Sequence, residues 1–366
     1  MIYLIDSVGH ETGMHLYDQS FKQTLASKGL DVTILSNFDT DGQKALFPNF
    51  YHGNRLAKLL RFAWALFRML CFRLTHHDAS DIYVYQSFGL RKADQLFIRC
   101  LLGWKNLYVI VHDIFEIHGA QGVDTHQASK LHFYFKHVPA VICHSHDTES
   151  RLKALGFGGR TCYFPHFSYE FSKEVIDSRV APEVRNAIQP DKVNFLFFGQ
   201  IRETKGIHIL QEAIHLLEKH HPEFAQRAHI VIAGMDKGHL ITDQPQPDFV
   251  TTILRHMDDS ELNFLFEHRP VVLLPYTEIY QSGVLEVVIY FQCPAIMSDI
   301  PFFRQMVERY PSFGRTYDPN TSAALAQVLL QACQQSQEKF FEQDDIQRYE
   351  ADHDSTALCQ FLTSGK

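Results

Sequence analysis

The feature that most constrains the fold is a pattern that occurs twice along the 366 residues. A short apolar run is followed by a glycine-containing loop, an amphipathic segment and a second apolar run. Residues 2–6 (IYLID) open the first copy and 31–35 complete it, whereas 194–198 (NFLFF) and 229–233 bound the second. Strand, loop, helix and strand in this order begin a parallel α/β sheet. The chain is therefore predicted to form two such sheets.

Further apolar runs extend both copies. We expect strands at 82–85, 107–111, 140–143 and 271–274, and a polar, glycine-rich connection around 156–190. We predict a Rossmann-like N-terminal domain over 1–165, a linker over 166–192, a second Rossmann-like domain over 193–345, and a C-terminal helix in 346–366 that packs back on the first domain. Two such domains facing each other enclose a cleft, the usual place for a ligand.

The charge is unevenly distributed between the two halves. The chain holds 34 Lys and Arg against 42 Asp and Glu, a net charge of −8, and residues 1–190 contribute 20 basic and 18 acidic residues. The second half is therefore strongly acidic, which argues against nucleic acid as a partner because phosphate binding needs a basic footprint.

Seven cysteines without a CxxC pair favour neither a disulfide framework nor a zinc site. The MIYLID start does not resemble a signal peptide, and we expect a cytoplasmic protein.

The segment FFGQIRETKG, residues 197–206, places two cations in a loop between a strand and a helix. The strand ends at Gly199, and Arg202 and Lys205 follow just before the helix. Free N–H groups and the helix dipole favour anions at such a loop, and the two cations would clamp a diphosphate. The alternative is a solvated basic turn before an ordinary helix.

Two glutamates separated by seven residues follow the predicted strand at 271–274. Glu278 falls in the loop after this strand, and Glu286 lies one turn inside a helix that begins at Ser282 and Gly283. Two carboxylates at this spacing can hold two sets of hydroxyls, for instance those of a sugar and a ribose. The alternative is that Glu278 is a loop charge and Glu286 only favours the helix N-terminus.

Together these motifs resemble the retaining glycosyltransferases of the GT-B fold, specifically family 4, most closely over residues 195–300. The resemblance implies that Arg202 and Lys205 bind the diphosphate of a sugar nucleotide, with help from backbone N–H groups near Gly283 and Val284. It further implies that Glu278 contacts the donor sugar as a catalytic residue and that Glu286 binds the ribose. The segment around Arg255 and Met257 matches the position of the nucleobase.

The N-terminal half resembles the family more loosely. Gly9 and Gly13 resemble the glycine loop that approaches the donor phosphates and the acceptor. The His-Asp pair after the strand at 107–111 resembles the family's strand end that faces the cleft, which implies that His112 is a catalytic residue near the reacting sugar. The sequence departs from the family at 279–281 (IYQ) and at Cys293, where the family usually has other residues.

Metal sites are not predicted. Asp39-Thr40-Asp41 mimics the Asp-x-Asp motif of the other glycosyltransferase fold but lies in an early polar loop. His144-Ser145-His146 lacks the spacing of a metal site. We expect no cofactor besides the donor substrate, because Arg202, Lys205 and helix N–H groups supply positive charge.

Residues 54–74 combine five basic residues with many large apolar ones and contain no acidic residue. On a helical wheel at about 100° per residue, the basic residues occupy one arc and a leucine-rich face with Trp64 and Phe67 occupies the other. One interpretation is a helix that packs this apolar face on the sheet and exposes a solvated basic face. The other is peripheral contact with an anionic membrane, which Phe62, Met69 and Phe72 among the charges favour.

The sequence as a whole predicts an α/β protein of two Rossmann-like domains that transfers a hexose-type sugar from a nucleoside diphosphate to a glycan or lipid-linked acceptor in surface polysaccharide assembly, with retention at the anomeric carbon. The expected partners are the nucleotide sugar, the acceptor and an anionic membrane surface at 54–74 on the inner face of the cell membrane. Alternatives are a non-catalytic nucleotide-sugar-binding subunit and an epimerase or hydrolase of the same fold.

Overall fold

The computed structural model describes residues 1–9, 14–40, 44–50, 53–76, 78–88, 92–103, 106–113, 132–133, 136–154, 156–167, 173–241, 245–279, 282–318, 320–334 and 340–364. The chain forms two compact units. Unit 1 comprises Met1–Glu170 and His353–Lys366, and unit 2 comprises Phe171–Asp352.

Unit 1 contains a six-stranded parallel sheet with the strand order β2-β1-β3-β4-β5-β6. Its strands are β1 (Ile2–Ile5), β2 (Val32–Leu35), β3 (Ile82–Phe88), β4 (Leu107–Asp113), β5 (Ala140–Cys143) and β6 (Arg160–Tyr163). Its helices are α1 (Met14–Ala26), α2 (Arg55–Thr75), α3 (Lys92–Leu101), α4 (His146–Ala154) and, from the C-terminal segment, α13 (Thr356–Thr363). Except for the edge strand β6, with the sequence RTCY, the strands are largely apolar runs, as is typical of parallel sheets covered on both faces.

Unit 2 repeats the architecture with the strand order β12-β11-β10-β7-β8-β9. Its strands are β7 (Val193–Phe198), β8 (Ala228–Ala233), β9 (Val250–Ile253), β10 (Val271–Leu274), β11 (Ala295–Ser298) and β12 (Gly314–Tyr317). Its helices are α5 (Pro182–Ala187), α6 (Ile207–His220), α7 (Phe224–Arg227), α8 (Asp259–Glu267), α9 (Gly283–Tyr290), α10 (Pro301–Arg309), α11 (Ser322–Ala332) and α12 (Gln343–Asp352).

The segments between and after the sheets join one unit or the other. Within the connection predicted around 156–190, residues 160–163 form β6, the edge strand of unit 1, and α5 lies in unit 2. The C-terminal segment returns to unit 1, where the Tyr108 hydroxyl donates to the carbonyl of Leu362 at 2.9 Å and Lys28 pairs with Asp354 at 2.6 Å. Helix α12 stays in unit 2.

Helix α2 faces the sheet with the opposite side from the one predicted for a packed helix. Ala65, Met69 and Phe72 are buried, and Phe62 and Leu66 pack against the same core. The leucine-rich face is exposed instead, at Leu56, Leu59, Leu60, Trp64, Phe67, Leu70 and Leu74, which are 44–76% accessible. The expectation that this face is buried on the sheet is therefore wrong.

The basic arc of α2 explains this orientation. Arg73 donates to the carbonyl of Leu102 at 2.8 Å, Arg61 to that of Asn49 at 3.3 Å and Arg68 to that of Ala45 at 3.4 Å. The arginines thus satisfy loop carbonyls around the aromatic residues that enter the core, and their stems cover apolar surface. None of the helices in the described part of the chain is both long and apolar enough to cross a membrane.

Candidate functional site: the strand-end loops of the two units

In unit 2 the loop after β7 lies against the start of α9. Gly199 has φ +114°, and a Cβ atom at this position would lie 2.9 Å from Nζ of Lys205 and 3.1 Å from Cγ2 of Val284. Only glycine leaves this space free without backbone strain. The structure therefore brings together three residues that the sequence analysis named separately: the strand-end glycine, the loop lysine and the second residue of α9.

The loop after β7 is also joined to the loop after β10. Gly206 has φ +67°, and a Cβ atom there would lie 1.8 Å from the carbonyl oxygen of Pro275. Beside it, the backbone N–H of Thr277 donates to the carbonyl of Thr204 at 2.9 Å. Since β7 and β10 are neighbours at the point where the strand order reverses, both loops lie at the switch point where α/β sheets bind ligands.

The two cations of this loop differ in environment. Burial, and after it the charge of Arg202, lowers the pKa of Lys205 to about 8, and its Nζ lies 5.4 Å from the centre of the Tyr276 ring. Arg202 is exposed and donates to the side-chain oxygen of Gln200. In the described part of unit 2, neither cation has a carboxylate partner. A crowded cation without a counter-ion favours an anionic ligand.

Helix α9 presents its first N–H groups beside these cations. Ser282 caps the helix, and its side chain accepts from the N–H of Leu285 at 3.2 Å. The N–H groups of Gly283 and Val284 precede the helical ladder, and such groups bind anions. The predicted helix start at Ser282 and Gly283 is confirmed.

The two glutamates occupy different environments. Glu278 is half-buried in the loop after β10. Glu286 is buried inside α9, where it accepts a hydrogen bond from the Tyr349 hydroxyl at 2.5 Å on Oε2. Burial raises the pKa of Glu286 to about 8, and this hydrogen bond lowers it in part. Tyr349 lies 63 positions further along the chain, so no local motif could have indicated it.

In unit 1, His112 belongs to a buried polar chain. Its Nε2 lies 2.8 Å from Oε1 of Gln86, whose amide nitrogen donates to Oδ1 of Asp18. Oδ2 of Asp18 finds no donor in the described part of the chain and lies beside the carboxyl group of Asp6. Burial, and after it the charge of Asp6, raises the pKa of Asp18 well above its ordinary value. We expect the two carboxyl groups to share a proton, because two adjacent buried carboxylates do not both ionise readily.

A second buried cluster surrounds Tyr17, whose hydroxyl lies 2.7 Å from Nε2 of His144. The rings of His112 and His166 lie 4.9 and 5.3 Å from the Tyr17 ring. Burial lowers the pKa of His144 to about 4 and that of His166 to about 3, so both are neutral at physiological pH. The sequence analysis named His112 but missed Gln86, Asp18 and Tyr17. Only Asp6 could have been recognised from the sequence, because it directly follows the strand β1.

No protein-family model and no curated protein matches the chain, but solved structures do. Sucrose-phosphate synthase from Thermosynechococcus elongatus matches with a TM-score of 0.68 at 14% identity, over 99% of this chain and 97% of that one. The UDP-forming trehalose-phosphate synthase from Burkholderia vietnamiensis matches with 0.63 at 11% identity, over 99% and 96%. HepE from Anabaena, in complex with UDP and glucose, matches with 0.56 at 14% identity, over 99% and 97%.

This chain has the GT-B fold. The match spans almost the whole of both chains and confirms the predicted fold class, with one parallel six-stranded sheet in each of two Rossmann-like domains. At 11–14% identity the likeness is one of fold.

Within this GT-B fold, the predicted nucleobase residues follow β9. The Arg255 guanidinium donates to both carboxylate oxygens of Glu261 at 2.7 Å and to Glu183 at 2.9 Å, and Met257 is 4% exposed. These contacts raise the pKa of Arg255 and hold that of Glu261 at about 2. The Arg255 side chain therefore joins α5 to α8.

Of the two glycines predicted in the N-terminal glycine loop, only Gly9 lies among the described residues. Gly9 has φ +56°, and its N–H donates to Asp6 at 2.8 Å. Gly13, Asp41 and residues 280–281 lie outside the described residues.

Asp39, the first residue of the Asp-x-Asp sequence, pairs with Lys44 at 2.7 Å on the surface. Among the described residues, no group of three His, Cys, Asp or Glu side chains is arranged to hold a metal ion.

Proposed function

We propose that this protein is a glycosyltransferase that moves a hexose-type sugar from a nucleoside diphosphate donor to a glycan or lipid-linked acceptor, with retention at the anomeric carbon. The observation that carries this proposal is the junction of Gly199, Lys205 and Val284 at the switch point of unit 2. It places an ammonium group and the free N–H groups of a helix around one small space. HepE, which shares the fold, was solved with UDP and glucose.

The proposed roles follow from the chemistry of each group. Lys205, Arg202 and the N–H groups of Gly283 and Val284 stabilise the negative charge of the leaving diphosphate. Glu286 accepts from the ribose hydroxyls, and Glu278 orients the transferred sugar. The acceptor hydroxyl attacks the anomeric carbon from the face that the diphosphate leaves, so positioning supplies much of the rate. On the ground of the family resemblance, His112 is assigned a contact with the same sugar.

A screen for donor binding followed by two substitutions tests this function. Thermal shift with UDP, GDP and ADP sugars identifies the donor, and NMR of the product shows whether the anomeric configuration is retained. Lys205→Ala or Arg202→Ala should each weaken donor binding by about 10–100-fold, since hydrogen bonds between charged groups contribute about 1.5–3 kcal/mol. Lys219→Ala, an exposed lysine near the C-terminal end of α6, is the matched control. Unchanged donor affinity in both loop variants would remove the phosphate assignment.

We further propose that the acceptor is presented at an anionic membrane, which the exposed face of α2 touches. Seven large apolar side chains on one helix face exceed the scattered exposure that is usual in monomers. Trp64 and Phe67 stack at 5.2 Å in the middle of this face. Arg55 and Lys58 are exposed on the same helix. A helix that exposes aromatic and leucine side chains together with cations, and that contains no acidic residue, fits the interface of anionic lipid.

Vesicle flotation tests the membrane contact. The protein should float with vesicles of phosphatidylcholine mixed with phosphatidylglycerol and much less with phosphatidylcholine alone. The double substitution Trp64→Ser and Phe67→Ser should abolish flotation, whereas Leu254→Ser, at another exposed apolar residue that is 44% accessible, should not. Gel filtration tests whether a second copy of the chain covers this face instead of a membrane. That alternative would be shown by a protein that does not bind vesicles and forms a dimer that the double substitution dissociates.

A further inference from the structure

Tyr349 reaches Glu286 from an element that no sequence motif connects with the donor site. Its hydroxyl donates to Oε2 of Glu286 at 2.5 Å, and both residues are buried, at 8% and 7% exposure. When the Glu286 carboxyl group is ionised, a short O–H···O contact of this kind is charge-assisted and stronger than a neutral one. The bond therefore fixes one of the two carboxylate oxygens and with it the orientation of the group.

The other oxygen of Glu286 is left for a ligand. In the described part of unit 2, Tyr349 is the one group that donates a hydrogen bond to the Glu286 side chain. A carboxylate can accept about four hydrogen bonds, so Oε1 retains its full capacity. A buried carboxylate held on one side and open on the other is suited to accept from a pair of neighbouring hydroxyl groups.

Helix α12 holds Tyr349 firmly in place. At its N-terminal end, Asp345 accepts from the backbone N–H of Ser312 at 2.7 Å. At its C-terminal end, Asp352 accepts two hydrogen bonds of 2.7 Å from Arg309 and one of 2.7 Å from the Tyr310 hydroxyl. The Tyr349 ring lies 5.5 Å from that of Tyr310. Both ends of the helix are thus tied to one segment, and Tyr349 projects from between these ties.

We infer that Tyr349 is a positioning residue for ribose recognition, which holds the Glu286 carboxylate so that its free oxygen accepts from the ribose hydroxyls of the nucleotide. This inference rests on the proposed function, in which Glu286 binds the ribose. It adds a residue of α12 to the donor site and assigns the C-terminal part of unit 2 a role in recognition. Burial raises the pKa of Glu286, and the Tyr349 bond acts against that rise, so the hydroxyl also favours the form that accepts hydrogen bonds.

The test compares a nucleoside diphosphate with its 2′,3′-dideoxy counterpart. UDP, GDP and ADP are titrated by calorimetry, and the one that binds most tightly is used with its dideoxy analogue. Tyr349→Phe should raise the Kd of the diphosphate about fivefold to tenfold and leave that of the analogue unchanged. The donor KM should rise with kcat preserved, because the lost interaction is present in ground state and transition state alike.

Two further variants make the result decisive. Tyr108→Phe removes a buried hydroxyl of unit 1 that donates to the carbonyl of Leu362 and contacts neither Glu286 nor α12, and it should leave both Kd values unchanged. Glu286→Ala should abolish the discrimination between the diphosphate and its analogue, because it removes every side-chain acceptor at this position. If Glu286→Ala discriminates as the wild type does, or if none of the three diphosphates binds, the proposed function is wrong. If Glu286→Ala loses discrimination while Tyr349→Phe keeps it, or if Tyr349→Phe weakens both ligands equally, the positioning role is wrong and the function stands.

Discussion

The two units have the same kind of sheet but fill their switch points differently. In unit 2 the crevice between β7 and β10 is bordered by Gly199 and Gly206, a lysine without a carboxylate partner in the described residues, and the N-terminus of α9. In unit 1 the corresponding position, between β1 and β3, contains Asp6 and Gln86, with Asp18 bonded to them from α1. The unit 2 switch point thus combines positive charge with glycines that have no side chain, whereas the unit 1 switch point contains carboxyl groups and an amide that bond to one another.

We propose that the two switch points serve different purposes. Glycines at the unit 2 crevice let backbone and lysine approach one place closely, which is what a phosphate site needs. In the unit 1 crevice the side chains of Asp18, Gln86 and His112 bond to one another, and we expect this chain to hold His112 in position. The predictions below test whether each switch point depends on the property assigned to it.

The largest effect is expected from filling the unit 2 crevice. Gly206→Ala would place a Cβ atom 1.8 Å from the carbonyl oxygen of Pro275 in a backbone conformation with φ +67°. The loops after β7 and β10 would have to separate. We expect unit 2 to lose about 3–4 kcal/mol of stability and nucleotide binding to fall below detection.

Gly158→Ala in unit 1 is the control, because a Cβ atom there meets nothing within 4 Å. Denaturant unfolding followed in both variants should show a change in the first only. A Gly206→Ala protein with normal stability and normal nucleotide binding would show that the close approach of the two loops is dispensable.

The next effect concerns the shared proton of unit 1. Asp18→Ala leaves the Gln86 amide and the Asp6 carboxyl without their partner and should cost about 2–3 kcal/mol. Asp18→Asn should be tolerated, since its amide can donate to Asp6 as the protonated acid does and its oxygen can still accept from Gln86.

The pH dependence distinguishes this account from simple packing. Because the pKa of Asp18 is raised in the folded protein, the folded state keeps a proton that the unfolded chain releases, and stability falls as pH rises from about 4 toward the raised pKa. The asparagine variant lacks this loss. Its stability relative to wild type, measured by urea unfolding, should therefore increase as the pH rises above about 4. A constant difference would mean that Asp18 is ionised in the fold.

Much of the fold could be predicted from the sequence, because long apolar runs between glycine loops have few alternatives. The strands at 140–143 and 271–274 lie where the residues predicted them. Short edge strands such as β6, with the sequence RTCY, carry too little apolar pattern to stand out from a polar connection. The orientation of α2 depends on which side chains fit the core, and a helical wheel shows periodicity without showing which face is chosen.

The site was predictable only where its residues are close in sequence. Arg202, Lys205, Glu278 and Glu286 lie in two compact motifs, and the structure brings their loops together. Tyr349 and the chain from His112 to Asp18 depend on tertiary contacts between distant elements. Hydrogen bonds between positions so far apart in the chain produce no characteristic residue spacing that a sequence motif could show.

The smallest effect expected is a change in the pH dependence of diphosphate binding. Lys205 has a pKa of about 8 in the free protein, and a bound diphosphate favours the charged form and raises this pKa. Binding then takes up a proton above about pH 8, and affinity should fall by up to about tenfold for each further pH unit. Arginine stays charged throughout, so Lys205→Arg should bind with a flatter profile between about pH 7.5 and 9, whatever its absolute affinity.

The titration of the ligand itself is common to both proteins and cancels in the comparison. Parallel profiles would show that the unit 2 crevice does not rely on the charge of Lys205, and the contrast drawn between the two switch points would then rest on the glycines and helix N–H groups alone.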